Sequence, residues 1–268
     1  MTTLVADLSR VDPRARVAKD AFIGPGCVIG PDVQFGRGTR LIGHVCLLGA
    51  VKIGENNLIS SYVAIGGEPQ DLSYWGTVTR VEIGDNNRID ERVTIHRGSE
   101  KEDGVTSVGN DNHFLHGAHV AHDCRLADRI TIGSLSMIGG HVHIGSDTYI
   151  AEKVGVHQFS TVGCNSFVEG QSKITQDVPS YMRVSGYPSS VRGINNRLLE
   201  RFGLSREARA ALRAAHKLIF VARMTLGQAY EILELRGHLT SEVLDLLAFL
   251  ERQHAGRMGR ARERRRGA

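Results

Sequence analysis

An aliphatic or aromatic side chain returns every six residues along most of this chain. The series runs through Val5, Val11, Val17, Ile23, Ile29, Phe35, Leu41, Leu47, Ile53, Ile59 and Ile65, resumes at Ile83, Ile89 and Ile95, and continues through Val108, Phe114, Val120, Leu126, Ile132, Ile138, Ile144, Ile150, Val156, Val162, Val168 and Ile174. An α-helix cannot keep these residues on one face, because six steps of about 100° rotate a side chain by roughly 240°. A coil of three short strands can. Each hexad then forms one side of a triangle, its aliphatic residue points inward, and glycines relax the corners. Three hexads make an 18-residue coil, with successive coils stacked roughly 4.8 Å apart at ordinary strand spacing. The expected fold is therefore mainly β, a triangular parallel β-helix cored by Val, Leu and Ile. The 31 glycines and the 6% aromatic content suit such narrow, regular packing.

Two polar stretches, 66–82 and 96–107, interrupt the series and are expected to be loops extruded from the prism, where binding groups concentrate. The array is expected to occupy residues 1–190. From 191 to 255 the apolar spacing becomes helical: a helix capped by Ser205 and running to Val221, a second from Thr225 to Leu235, and a third from Ser241 to Gln253. The tail, 256–268, is arginine-rich and expected to be disordered, with contact to acidic partners or membrane surfaces a secondary possibility. It accounts for the formal charge of +4, so the main body is close to neutral and nucleic-acid binding is not expected. Cys27, Cys46, Cys124 and Cys164 form no CxxC and suggest reduced thiols in a cytoplasmic protein. No apolar stretch is long enough for a transmembrane helix or an integral membrane contact.

The 18-residue coil places the polar residues geometrically. His122, Gly140 and Gln158 fall in one column, and Asp123, His141 and Phe159 in the next, with His119 at the corner before Val120. A cleft of His119, His122, His141 and Gln158 beside a bare glycine backbone suits acyl transfer. An imidazole takes a hydroxyl proton, Asp123 orients the ring, and the Gly140 N–H faces a developing oxyanion. No serine or cysteine is placed as a nucleophile, so direct attack by the acceptor is the simpler route. A lone histidine in such an array is commonly a solvent-facing corner residue; the cluster is what points to chemistry.

The segments Gln70-Asp71-Leu72, Val93-Thr94-Ile95-His96-Arg97-Gly98, Ala118-His119-Val120-Ala121-His122-Asp123-Cys124, Val156-His157-Gln158-Phe159 and Gln176-Asp177-Val178-Pro179, with Gly203-Leu204-Ser205-Arg206-Glu207 among the helices, resemble the UDP-N-acetylglucosamine acyltransferase family of lipid A synthesis. The hexapeptide acyltransferase superfamily to which that family belongs implies a left-handed coil. The resemblance also implies that His122 is the general base for the sugar 3-hydroxyl, that Asp123 orients it, and that Gly140 donates to the thioester oxyanion. Gln70, Asp71, His96, His119, His141, His157, Gln158, Asn195 and Arg201 would bind substrate, and Gly170 would form the floor that sets acyl-chain length. The implied partners are an acyl carrier protein as donor of a 3-hydroxyacyl chain, a UDP-sugar acceptor and two further copies in a homotrimer with sites between prisms. No cofactor or metal is implied.

The chain departs from the family where the nucleotide would be held. Ser73 stands where QDLK has lysine, and Glu200-Arg201-Phe202-Gly203 replaces a KRRG run. Each lost cation would weaken pyrophosphate binding by about 1.5 to 3 kcal/mol. A 3-amino sugar nucleotide would be attacked by the same base. Two readings of other classes are a zinc hydratase similar to γ-type carbonic anhydrases, with His119 and His122 as ligands, and a non-catalytic trimeric scaffold.

Overall fold

In a computed structural model, which describes residues 4–201 and 203–263, the six-residue period becomes three parallel sheets wound into a left-handed β-helix. The first face has eleven strands, the second nine and the third eight, and within the coils each strand pairs with those three places away along the chain. Leu58–Ile59, for example, lies between Arg40–Leu41 and Arg88–Ile89. Most strands are two residues long, an outward side chain followed by an inward aliphatic one, as in exposed Arg125 and buried Leu126. Every member of the aliphatic series from Ile23 onward is buried, whereas Val5 is half exposed, because no coil lies beneath the first. A fully buried Ile or Leu of this column contributes about 1.5 to 3 kcal/mol.

Most corners turn through one residue in the left-handed region. Asp123, His141 and Phe159 have φ of 59°, 61° and 64° at the edge between the second and third faces. Asp111, Arg129, Asp147 and Asn165 do the same between the third and first, a conformation that Asn and Asp tolerate better than most side chains. At the latter edge buried asparagines form a ladder. The amide N–H of Asn87 donates to Asn57 Oδ1 at 2.9 Å, Asn112 N–H to Asn87 Oδ1 at 2.9 Å, and Ile130 N–H to Asn112 Oδ1 at 2.8 Å.

The two extruded loops leave the edge between the second and third faces, but they are shorter than the polar stretches suggested. Arg80–Ile83 and Val105–Val108 pair over four residues in the third face, burying Val81 and Val105. These strands begin three residues before the six-residue series resumes at Ile83 and Val108, because one side of the triangle takes two inward side chains there. The excursions are therefore 68–79 and 97–104. Gly66 starts the first: its φ is +85°, and a Cβ would lie 1.9 Å from the Leu48 carbonyl oxygen.

Past the last coil, Met182–Gly186 pairs antiparallel with Ser189–Ile194 and extends the first face. A boundary at 190 therefore cuts a strand; an antiparallel hairpin carries no six-residue signal, and the seam lies at Asn195. The helices are α1 (Asn196–Arg201), α2 (Arg206–His216), α3 (Leu226–Leu235) and α4 (Ser241–Ala255). Ser205 caps α2 through Ala208 N–H, and Thr225 with Gln228 forms a capping box on α3. The helix expected to reach Val221 widens at Lys217–Val221 into a π-turn. Leu212, Ala215, Leu233, Val243, Leu246, Leu247 and Leu250 form one cluster with Tyr181, Met182 and Ile194, tying the helices to the prism. No helix among the described residues is long and apolar enough to cross a membrane.

The tail is not disordered through residue 263. Asp177 N–H donates to the Gly259 carbonyl and Ala261 N–H to Asp177 Oδ2, each at 2.8 Å, while the Arg260 guanidinium bonds the Thr175 carbonyl. Composition predicts self-repulsion among arginines, but Asp177, Glu263 and Glu102 supply the opposing charge. Arg264, Arg265 and Arg266 lie outside the described residues, as does Phe202.

Candidate active site

Two loops and one corner build the site. Arg97 fixes the first loop, donating to the Gly66 carbonyl at 3.0 Å and to Glu68 Oε1 at 3.1 Å, with its guanidinium over the Tyr74 ring. The loops also hold each other: Trp75 N–H donates to Glu100 Oε1 at 2.7 Å, and Lys101 Nζ lies 2.6 Å from Asp71 Oδ2. Ser73 donates its hydroxyl and its amide to Asp71 Oδ1. The Lys101 ammonium, followed by the Ser73 amide, holds the Asp71 carboxyl well below the usual carboxylate range. A cation thus stands beside the Gln70-Asp71-Leu72 segment after all, delivered by the second loop.

At the corner, His122 Nδ1 bonds Asp123 Oδ2 at 2.8 Å. A carboxylate only accepts, so the ring proton lies on Nδ1 and Nε2 keeps its lone pair. Asp123 is held in turn by the Ser99 amide at 2.7 Å and hydroxyl at 2.6 Å, and its own N–H donates to Thr106 Oγ1. Burial raises the Asp123 carboxyl, but the bonds from His122 and Ser99 and the charge of His141 outweigh it and leave it lowered. His122 is only 7% exposed; the extruded loops cover that edge. Gly140 flanks its ring: an added Cβ would lie 2.8 Å from both His122 Cε1 and Nε2. The Gly140 N–H has no protein acceptor among the described residues. Neighbouring Cys124 is buried, donates to the Gly139 carbonyl, and has its thiol pushed up to about 12 by burial, which removes it as a nucleophile.

Three further histidines surround this pair. His141 stacks on Phe159 at 4.4 Å, meets His122 edge to face at 5.1 Å, and bonds Glu102 Oε1 through Nδ1 at 3.0 Å. His119 lies on the flat of the second face rather than at a corner, paired in register with Thr94 and Met137, with Nδ1 2.8 Å from Thr94 Oγ1. Burial first, then the charges of His96 and His122, pushes its pKa down to about 4. His96 packs edge-on to His119 and bonds the Glu68 carbonyl. Ligand atoms of Asp71, His122 and His141 lie within 4.8 Å of one another, but the Lys101 ammonium already neutralises Asp71 and would repel a metal ion. The His119–His122 pair that a zinc reading requires is not that set.

A cavity of about 630 Å³ on the second face brings together Gln70, His119, His122, Gly140, His157 and Gln158, floored by Met137 and Gly155. Asp71 adjoins it; Asp123, His96 and His141 support it from behind or beside. His157 and Gln158 are exposed, and the His157 ring turns to the Gln158 carbonyl. Gly170, Asn195 and Arg201 are not in this group. They line a cavity of about 1010 Å³ on the first face, among Arg183, Arg192 and Arg213. There Asn195 is buried and donates its amide to the Asn165 carbonyl, and Gly170 lies against Glu152. Sequence reasoning missed Ser99, Lys101, Glu102 and Arg262. The only available signal was position, since the first three follow directly on Thr94-Ile95-His96-Arg97-Gly98.

The family model described as UDP-N-acetylglucosamine O-acyltransferase, domain 2, matches residues 177–258. The chain is 37% identical over 92% of its length to an acyl-[acyl-carrier-protein]–UDP-N-acetylglucosamine O-acyltransferase of Thermodesulfovibrio yellowstonii, covering 95% of that protein. Among solved structures, the corresponding Acinetobacter baumannii protein is 38% identical with a TM-score of 0.83, covering 90% of this chain and 91% of its own. The UDP-N-acetylglucosamine acyltransferase of Bacteroides fragilis is 30% identical with a TM-score of 0.89, covering 92% and 97%.

Proposed function

This chain belongs to the UDP-N-acetylglucosamine O-acyltransferase family and is an acyltransferase, and from that premise we propose that it transfers a 3-hydroxyacyl chain from acyl carrier protein to the 3-hydroxyl of UDP-N-acetylglucosamine, with His122 as general base. The observation that carries the mechanism is the His122–Asp123 bond of 2.8 Å with the Gly140 backbone against the other side of the ring. His122 Nε2 takes the hydroxyl proton, and Asp123 stabilises the imidazolium through Nδ1–H. The sugar oxygen attacks the thioester carbonyl, and the Gly140 N–H donates to the resulting oxyanion. Collapse breaks the carbon–sulfur bond, and the leaving thiolate recovers the proton from His122. Asp71, Gln70, His119, His96, His141, His157 and Gln158 hold the acceptor, with Lys101 replacing the lysine that Ser73 lacks.

The same reading makes the enzyme a cytoplasmic homotrimer. It is supported by the division of the site residues: Gly170, Asn195 and Arg201 lie on a different face of the prism from His122, so a facing copy has to bring its own set to the base. Gly170 then limits acyl length from across that interface.

The test is mass spectrometry of the products formed from a mixed pool of 3-hydroxyacyl carrier proteins with UDP-N-acetylglucosamine and its 3-amino analogue. The expected product is the 3-O-ester. Exclusive amide formation would reassign the acceptor, and bound carrier protein without product would leave a scaffold.

A further inference from the structure

We propose that Arg262, delivered by the C-terminal tail, is a positioning residue that keeps Asp123 committed to His122 by fixing where His141 carries its proton. Five contacts connect the tail to the base. Arg262 Nη2 donates to Glu102 Oε1 at 2.8 Å, and its Nη1 donates to the His141 carbonyl. Glu102 Oε1 accepts from His141 Nδ1 at 3.0 Å, and His141 Nε2 lies 3.8 Å from Asp123 Oδ2. That last oxygen is the one that accepts from His122 Nδ1 at 2.8 Å. The inference rests on the reading of His122 as general base.

Glu102 as a carboxylate only accepts, so the His141 proton stays on Nδ1 and Nε2 carries a lone pair. A second proton on Nε2 would make His141 a donor to Asp123 Oδ2, in competition with His122. Arg262 opposes that protonation in two ways. It neutralises the carboxylate that would otherwise favour a charged ring, and it fixes the backbone of the left-handed turn on which His141 is mounted. The groups facing His141 come from every neighbouring element: Asp123 and His122 from the corner, Glu102 from the second loop, Arg262 from the tail, Asp71 with Lys101 across the cleft, and His143 with Arg125 on the third face. Burial drives His141 itself below the ordinary histidine value against the pull of Glu102 and Asp123. The tail is anchored for this task on Asp177, which accepts from Ala261 N–H and donates its own N–H to the Gly259 carbonyl. The Arg262 side chain is 24% exposed and Glu102 23%, a partly buried pair rather than a solvated one.

The experiment compares full-length wild type with Arg262→Gln, Arg262→Lys, Glu102→Gln and the Arg262→Gln/Glu102→Gln double variant, measuring kcat, KM for the sugar nucleotide and the pH profile of kcat. Arg262→Gln is expected to lower kcat about tenfold with KM changed by no more than about twofold, and to move the acid limb to higher pH. Arg262→Lys restores most of the rate, and in the double variant loss of Arg262 adds little to Glu102→Gln. An unchanged kcat and profile in Arg262→Gln overturns the proposal. So does an equal loss in the Gln and Lys variants with an unmoved acid limb, which would mark a purely structural tail contact. His122→Ala run in parallel separates the two readings: retained turnover there removes the base, whereas an inactive His122→Ala with unmoved Arg262 profiles removes only the role of Arg262.

Discussion

At the edge between the third and first faces, Asn57, Asn87 and Asn112 point into the prism and pass a hydrogen bond from coil to coil. At the edge between the second and third, the same left-handed turn carries Asp123 and His141, whose partners are Ser99 and Glu102 from an extruded loop. The first edge satisfies the backbone N–H groups of Asn87, Asn112 and Ile130 from asparagine oxygens 18 to 30 residues away along one repeating column. The second recruits groups from outside the repeat, and among the described residues His122 Nε2 and the Gly140 N–H have no such partner. The repeat therefore supplies a rigid turn, and chemistry appears only where something other than the next coil covers it.

Substitutions at the two edges should break different properties. His122→Ala is expected to lower turnover about 10²- to 10⁴-fold while shifting the thermal midpoint by only a few degrees; steady-state rates beside a melting curve check both. Gly140→Ala drives a methyl group against the imidazole and is expected to cost about 10²-fold in kcat with an unchanged circular dichroism spectrum. At the other edge the pattern reverses. Asn87→Ala leaves the Asn112 N–H without its acceptor and is expected to lower stability by about 1 to 3 kcal/mol, with turnover per folded molecule intact; urea titration combined with active-site counting would expose any loss of intrinsic rate.

Acid separates the histidine site from the asparagine edge as well. Between pH 6.5 and about 4 the unfolded chain takes up a proton at His119 that the folded chain refuses, so stability is lost as pH falls through that window and this contribution levels off below it. Asp123 acts lower still: its carboxyl is held below 3.8, and its stabilisation is complete above that value and is lost as pH falls through the folded one. His119→Gln should reduce the slope of unfolding free energy between pH 6.5 and 4, with His143 keeping a share of it, whereas Asn87→Ala should leave that slope unchanged. Parallel curves for His119→Gln and wild type would contradict the buried neutral ring. The smallest effect belongs to the substrate grip. Because Lys101 already stands beside Asp71, Ser73→Lys is expected to change sugar-nucleotide affinity by less than about fivefold, equivalent to the 0.2–1 kcal/mol of an exposed ion pair, and Lys101→Met to weaken it more; titration calorimetry ranks the two.

The prism was legible from the chain because burial of one aliphatic residue per side is a local rule repeated without change, so Ile23 and Ile174 obey the same count. The columns containing His122, Gly140 and Asp123 followed from that count, and the helices from Ser205, Thr225 and the spacing of Val243, Leu246, Leu247 and Leu250. The contacts from Ser99, Lys101, Glu102 and Arg262 did not follow. They join segments 24 to 160 residues apart across irregular backbone, where no period relates sequence distance to spatial distance. What the sequence determined is the column, and with it the imidazole, carboxylate and glycine that share the corner. Tertiary structure alone decided that His122 is covered, that the Lys101 ammonium of the second loop stands beside Asp71, and that a tail of arginines ends against His141, because each depends on which loop charge meets which in space.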